Sequence, residues 1–101
     1  MKKNDFIRSC FIIVIMEELY DKIDEFLTID YKFSLSSYFD CEVYWYDYNK
    51  NNLIYSITLW FDFDSIYVDF RYSNERYDCD IYSLDDFIKF FNDYIKDLVS
   101  N

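Results

Sequence analysis

The chain has 101 residues, enough for one domain, and a lopsided charge of −10 from twenty acids against ten bases. It contains no His, Gly or Pro, which removes Ser-His and Cys-His nucleophile pairs, phosphate-cradling glycine loops and the dinucleotide fingerprint. So acidic a surface repels nucleic acid and anionic membranes and draws basic partners inward.

Hydrophobic residues make up 52% of the chain, and a domain of this size buries roughly 60–70% of its unfolded surface, so a folded core is expected. The 12 Tyr and 11 Phe exceed what one small core needs. Tyr carries a hydroxyl that needs a partner or water, which places many of these rings at a surface or interface. Three Cys (Cys10, Cys41, Cys79) without regular spacing read as free thiols in a reducing cytoplasm, and with no His a zinc site is not expected. The preference for residues with AT-rich codons points to a low-GC bacterium or one of its phages.

In chain order, Lys2 and Lys3 precede an apolar run, Cys10–Met16, that is short, interrupted before it by Asp5 and Arg8, and followed by Glu17 and Glu18. This is not the pattern of an export signal. No stretch reaches the 18 or so apolar residues of a membrane span. From about Asp5 to Leu27 the spacing of Ile12, Met16, Leu19, Ile23 and Phe26 predicts a helix; a short strand at the β-branched patch Ile12–Ile15 before a shorter helix is the lesser alternative.

From Ile29 to Tyr82 the period is two. Phe33 and Leu35 share a face. Phe39, Cys41, Val43 and Trp45 are expected inward, with Asp40, Glu42, Tyr44 and Tyr46 outward. Leu53, Tyr55, Ile57, Leu59 and Phe61 form a further inward set. Ile66, Val68 and Phe70 oppose Tyr67, Asp69 and Arg71, and Tyr77, Cys79 and Ile81 oppose Asp78, Asp80 and Tyr82. Connections at 49–52, 62–65 and 73–76 are rich in Asn, Asp and Ser, which tolerate left-handed backbone, and their shortness predicts antiparallel hairpins. Ser83 followed by Asp86 resembles a capping box and opens a final helix with its apolar stripe at Leu84, Phe87, Ile88, Phe91, Tyr94, Ile95 and Leu98.

The expected fold is α+β in two layers: an N-terminal helix, an antiparallel meander of four to five strands and a C-terminal helix, both helices on one sheet face. Alternation alone explains pairs such as Phe61/Asp62. It does not explain why the outward residues are so often Tyr or acid: from Asp30 to Tyr82 there are ten acids, four bases and ten of the twelve Tyr. Residues two apart on a strand lie about 6.5–7 Å apart on one face, so Asp40/Glu42, Asp62/Asp64 and Asp78/Asp80 read as rows of charge with a spacing comparable to that of successive phosphates. With Tyr44, Tyr46, Tyr67, Asp69 and Tyr82 these make a candidate partner-binding surface. Carboxylates suit the Arg fork that otherwise holds phosphate, and Tyr offers flat area and hydrogen bonds. A solvated, solubilising outer face is the plainer account of the same residues.

Catalysis is not expected. Residues 47–52 begin like a calcium loop, but Asn52 stands where Gly is required and Thr58 where the bidentate Glu belongs. Asp62, Asp64, Asp69 and Glu75 are the acids a two-metal nuclease would use, yet Arg71 replaces the Lys of the Asp-x-Lys pattern and −10 repels the substrate. No metal or cofactor is implied.

In type, the acidic Asp/Glu/Tyr pattern on so short a chain resembles the small cytosolic inhibitors that phages direct against host defence nucleases, the anti-CRISPR and anti-restriction proteins. That resemblance implies stoichiometric binding of a basic, nucleic-acid-binding effector, with no direct contact to nucleic acid or membrane. The alternative is an immunity protein that neutralises a cognate basic toxin; a third reading is a homodimer that uses the Tyr face or a free strand edge for itself.

Overall fold

The computed structural model describes residues 16–40 and 42–100. The earlier part of the expected first helix, Cys10 and Cys41 lie outside the described residues. Helix α1 occupies residues 16–25 and runs directly into a π-turn, Phe26–Asp30, where the Tyr31 N–H donates to the Phe26 carbonyl at 3.2 Å. Five strands follow: β1 (Ser34–Phe39), β2 (Val43–Lys50), β3 (Leu53–Phe61), β4 (Ile66–Tyr72) and β5 (Glu75–Ile81). Helices α2 (Leu84–Tyr94) and α3 (Lys96–Val99) end the described chain. The strands form one antiparallel meander in the order β1-β2-β3-β4-β5.

Turns without glycine set the registers. Lys50 pairs with Leu53 across Asn51 and Asn52, whose φ values of 53° and 65° make the left-handed two-residue turn that matches strand twist. Tyr72 pairs with Glu75 across Ser73, φ 52°, and Asn74. Asp40 (φ 50°) opens the β1–β2 turn, and Lys32 (φ 64°) turns the chain from the π-turn into β1. These are positions where Gly relieves the clash of Cβ with backbone.

Register then decides faces, because directly paired residues share one. Tyr55, Ile57, Leu59 and Phe61 of β3, with Ile66, Val68 and Phe70 of β4 and Tyr77, Cys79 and Ile81 of β5, face the helices as expected. On β2 the expectation is reversed. Pairing of Lys50 with Leu53 places Tyr44, Tyr46 and Tyr48 beside Leu59, Ile57 and Tyr55 on the helix side. Val43 and Trp45 go to the opposite face, with Trp60, Thr58, Tyr67, Asp69, Asp78 and Asp80. A bulge between Leu35 and Ser37 shifts β1 by one residue.

The core joins α1 residues Met16, Leu19, Ile23 and the adjoining Leu27 to the inner sheet and to Phe87, Phe90, Phe91, Ile95 and Val99. Phe26 packs edge-on against both Phe87 and Phe91, coupling the two helices. Burying each such side chain contributes about 1.5–3 kcal/mol. Ser83 Oγ accepts from the Asp86 N–H at 3.2 Å, and Asp86 accepts in return from the Tyr82 N–H at 2.9 Å. This is the expected reciprocal cap, displaced by one residue on its return arm. The single expected C-terminal helix is divided at Ile95, after which Lys50 Nζ donates to the carbonyls of Leu98 at 3.0 Å and Ser100 at 3.4 Å.

Tyr46, 0% exposed, sits at the centre of this layer. Its hydroxyl donates to Asp24 Oδ1 at 2.6 Å and lies 2.6 Å from the Tyr20 hydroxyl, so a polar knot fixes α1 to the middle of the sheet. Burial raises the Tyr46 phenol far above its ordinary range, helped by the bond to Asp24, and burial pushes Tyr20 up to about 12 from 10.0.

Tyr46→Phe should cost about 1–3 kcal/mol in denaturant unfolding, since Asp24 and Tyr20 each lose a partner within the fold. Both phenols hold their protons more tightly folded than unfolded. Their stabilisation is therefore complete below pH 10 and falls as pH rises above it; the Tyr20 share is lost from about 10 through 12, while the Tyr46 share is still falling at 12, which a pH series of thermal melts reads directly. Lys32→Gly should raise stability, by up to about 1 kcal/mol, through relief of the left-handed strain.

Candidate functional site

The expected acidic residues fall into two groups. Asp69, Asp78 and Asp80 lie on the sheet face turned away from the helices, as anticipated, together with Tyr67. Tyr67 packs against Trp60 with ring centroids 5.5 Å apart. Asp69 and Asp78 are direct cross-strand partners, a repulsive pairing on its own. The next row places Arg71 opposite Arg76, and pairs along each strand and across the Arg76–Asp69 diagonal compensate. Arg71 and Arg76 each reach Asp69 at 3.0 Å, and Arg76 reaches Asp78 at 3.2 Å. Arg76 Nη2 also donates to the Tyr67 hydroxyl at 2.9 Å, while Tyr67 donates to Asp78. The Asp78 carboxylate raises the Tyr67 phenol above its ordinary range.

This cluster changes the reading of the face. Asp69, 2% exposed, is an internal counter-ion for two arginines and is not presented to a partner. Asp78 is partly neutralised. Asp80 is exposed on β5 opposite Tyr67. Tyr44 and Tyr46 do not belong to the site at all: Tyr46 is core, and Tyr44 stacks on Tyr20 at 4.1 Å on the helix side.

The second group is assembled by topology. Asp40 and Glu42 occupy the β1–β2 turn and Asp62 and Asp64 the β3–β4 loop, not strand rows. Phe39 pairs with Val43, Val43 with Trp60, and Phe61, Ile66 and Ile81 form one row, so both turns and the β5–α2 junction lie at the same end of the sheet. Five strands make that end about 19 Å wide. It gathers exposed Asp40, Glu42, Asp62 and Asp64 with exposed Asp85 and Asp86 from the first turn of α2. Between the acids stand Phe63, 71% exposed, and Tyr82, 61% exposed, with Phe39 exposed at the β1 corner. Residues 33–49, 51–70 and 77–88 contain no Lys or Arg.

Phe63 was not anticipated from the sequence. Its signal was there: an aromatic inside a four-residue loop of acids and serine cannot join the alternation on either flanking strand.

Among the described residues no three His, Cys, Asp or Glu side chains converge to hold a metal ion, and no helix is long and apolar enough to cross a membrane. Burial first, then Asp80, Asp78 and Asp86, push the Cys79 thiol up, away from the reactive thiolate. The cleft between β5 and α2, about 280 Å³, is shallow and lined by Asp80, Asp86 and Asp93 beside Lys89.

Asp69→Asn should lower stability by about 1–3 kcal/mol, because both arginines lose their shared carboxylate while one buried amide cannot serve both; urea unfolding measures it. No protein-family model, no curated protein and no solved structure matches this chain.

Proposed function

We propose that this protein is a non-catalytic inhibitor that binds a basic, nucleic-acid-binding site on another protein, in the manner of the anti-CRISPR proteins it resembles in type. One observation carries the reading. At a single end of the sheet six exposed carboxylates surround exposed aromatic rings, and the strand and turn segments that build this end contain no basic residue.

The physical basis is complementarity. A site that holds phosphates does so with Arg forks and Lys ammonium groups. Carboxylates at several points across about 19 Å oppose such a groove, and the net charge of −10 accelerates encounter. Exposed Phe63 and Tyr82 supply the buried apolar anchors that charge alone does not give, with acids forming the rim around them. Asp80 extends the acidic surface onto the outer face towards the Tyr67–Trp60 pair.

The test is capture of candidate nucleic-acid-binding defence complexes by the tagged protein, with and without guide and target nucleic acid. Competition by nucleic acid is the expected result. Asp62→Lys/Asp64→Lys should weaken capture at least tenfold with an unchanged melting temperature, since among the described residues neither carboxylate makes an ion pair. Binding should also fall as salt rises. Capture that survives both the double reversal and high salt overturns the proposal. Capture only of a basic toxin would favour the immunity-protein reading.

A further inference from the structure

The two edges of the sheet are built differently. On β5, Glu75, Arg76, Asp78 and Asp80 place charges along the strand, the usual guard against pairing with another chain. The β1 edge, Ser34–Phe39, has no charged residue and no proline, and all six of its residues are exposed. Of the large apolar side chains left exposed, Leu35, Tyr38 and Phe39 are on this one strand and Ile29 is in the π-turn that packs beside it.

We infer that β1 is a self-association edge, where a second copy of this chain adds its own β1 antiparallel to form a continuous ten-stranded sheet about a two-fold axis. The occupant follows from the strand's self-complementarity. Without the bulge at Ser36, Leu35 and Tyr38 would point to opposite faces; with it, Leu35 pairs with Tyr46 and Tyr38 with Tyr44, both on the helix side. Leu35 is 41% exposed and Tyr38 67%. An antiparallel copy that preserves these faces sets Leu35 opposite the second copy's Tyr38 and Ser34 opposite its Phe39, and the two-fold axis repeats both pairs. The same register brings Lys32, just before the strand, within one residue of Asp40, just after it, on the other copy. Each end of the interface thus closes on an opposite-charge pair, although the chain as a whole repels itself at −10. A bulge that elsewhere blunts an edge here re-phases it.

Sedimentation equilibrium over a wide concentration range tests the inference. The wild-type chain should sediment at twice its chain mass in physiological salt. Leu35→Lys and Tyr38→Lys, separately, should each weaken self-association at least tenfold and give the monomer mass. Their circular dichroism and melting in the monomeric range should stay as wild type. Should either Lys variant misfold, Tyr38→Ser, which removes the ring without adding charge, provides the same readout. A wild-type chain that stays monomeric at every concentration overturns the inference. So does a dimer that persists in these variants, or one that is lost on Phe63→Lys, since Phe63 lies outside this edge. None of these measurements involves the proposed inhibitory partner, so failure here leaves the acidic end to be judged on its own test.

Discussion

The left-handed turn at Asn51 and Asn52 is the constraint from which the rest of the structure follows. A two-residue connection admits one pairing, Lys50 with Leu53, and that pairing assigns every β2 side chain to a face. Three tyrosines are thereby brought under the helices. A buried tyrosine needs a hydroxyl partner, and Asp24 and Tyr20 of α1 supply it for Tyr46. The position of α1 on the sheet is therefore specified by polar geometry as well as by apolar packing, which alone would tolerate sliding.

The same turn sends Val43 and Trp45 to the far face, beside Trp60 and Tyr67. That face is consequently a mixed surface, with large rings near the acidic end and, towards the other end, a cross-strand pair of aspartates beside a cross-strand pair of arginines. Much of its carboxylate charge is satisfied internally. The uncompensated charge lies in the turns. At Asp40, whose φ is 50°, one acid serves both turn formation and surface potential, since Asp tolerates left-handed backbone.

How far the sequence could be read depended on whether one parity of each strand was distinctly apolar. In β3 and β4 it is: Ile57, Leu59, Val68 and Phe70 leave no ambiguity, and the five-strand meander and capped C-terminal helix were legible with them. In the first half of β2, Val43 to Tyr46, both parities are aromatic or aliphatic, and the tyrosine hydroxyl made the inward set look outward. Counting from the two-residue turn, in place of weighing hydrophobicity, would have resolved it. The site was legible as a composition but not as a place. Asp40, Glu42, Asp62 and Asp64 were read along strands, whereas their proximity arises across strands, from turns that the meander returns to one end. The Arg71 and Arg76 partners of Asp69 sit on two strands and could be paired only once that register was known.

The nearest-neighbour strand order also bears on how the molecule forms. Among the described residues each strand pairs only with its sequence neighbours, so the sheet can grow hairpin by hairpin with short loop closures and little entropic cost at each step. The contacts that span the chain come from the helices and the π-turn, among them Phe26 on Phe87 and Phe91, Tyr20 to Tyr46, and Lys50 to the carbonyl of Leu98. Lys50 belongs to the same hairpin that fixes the register, and its ammonium joins that hairpin to α3. The C-terminal helices are thereby latched onto the register-setting hairpin, and the meander and its helical cover become one cooperative unit.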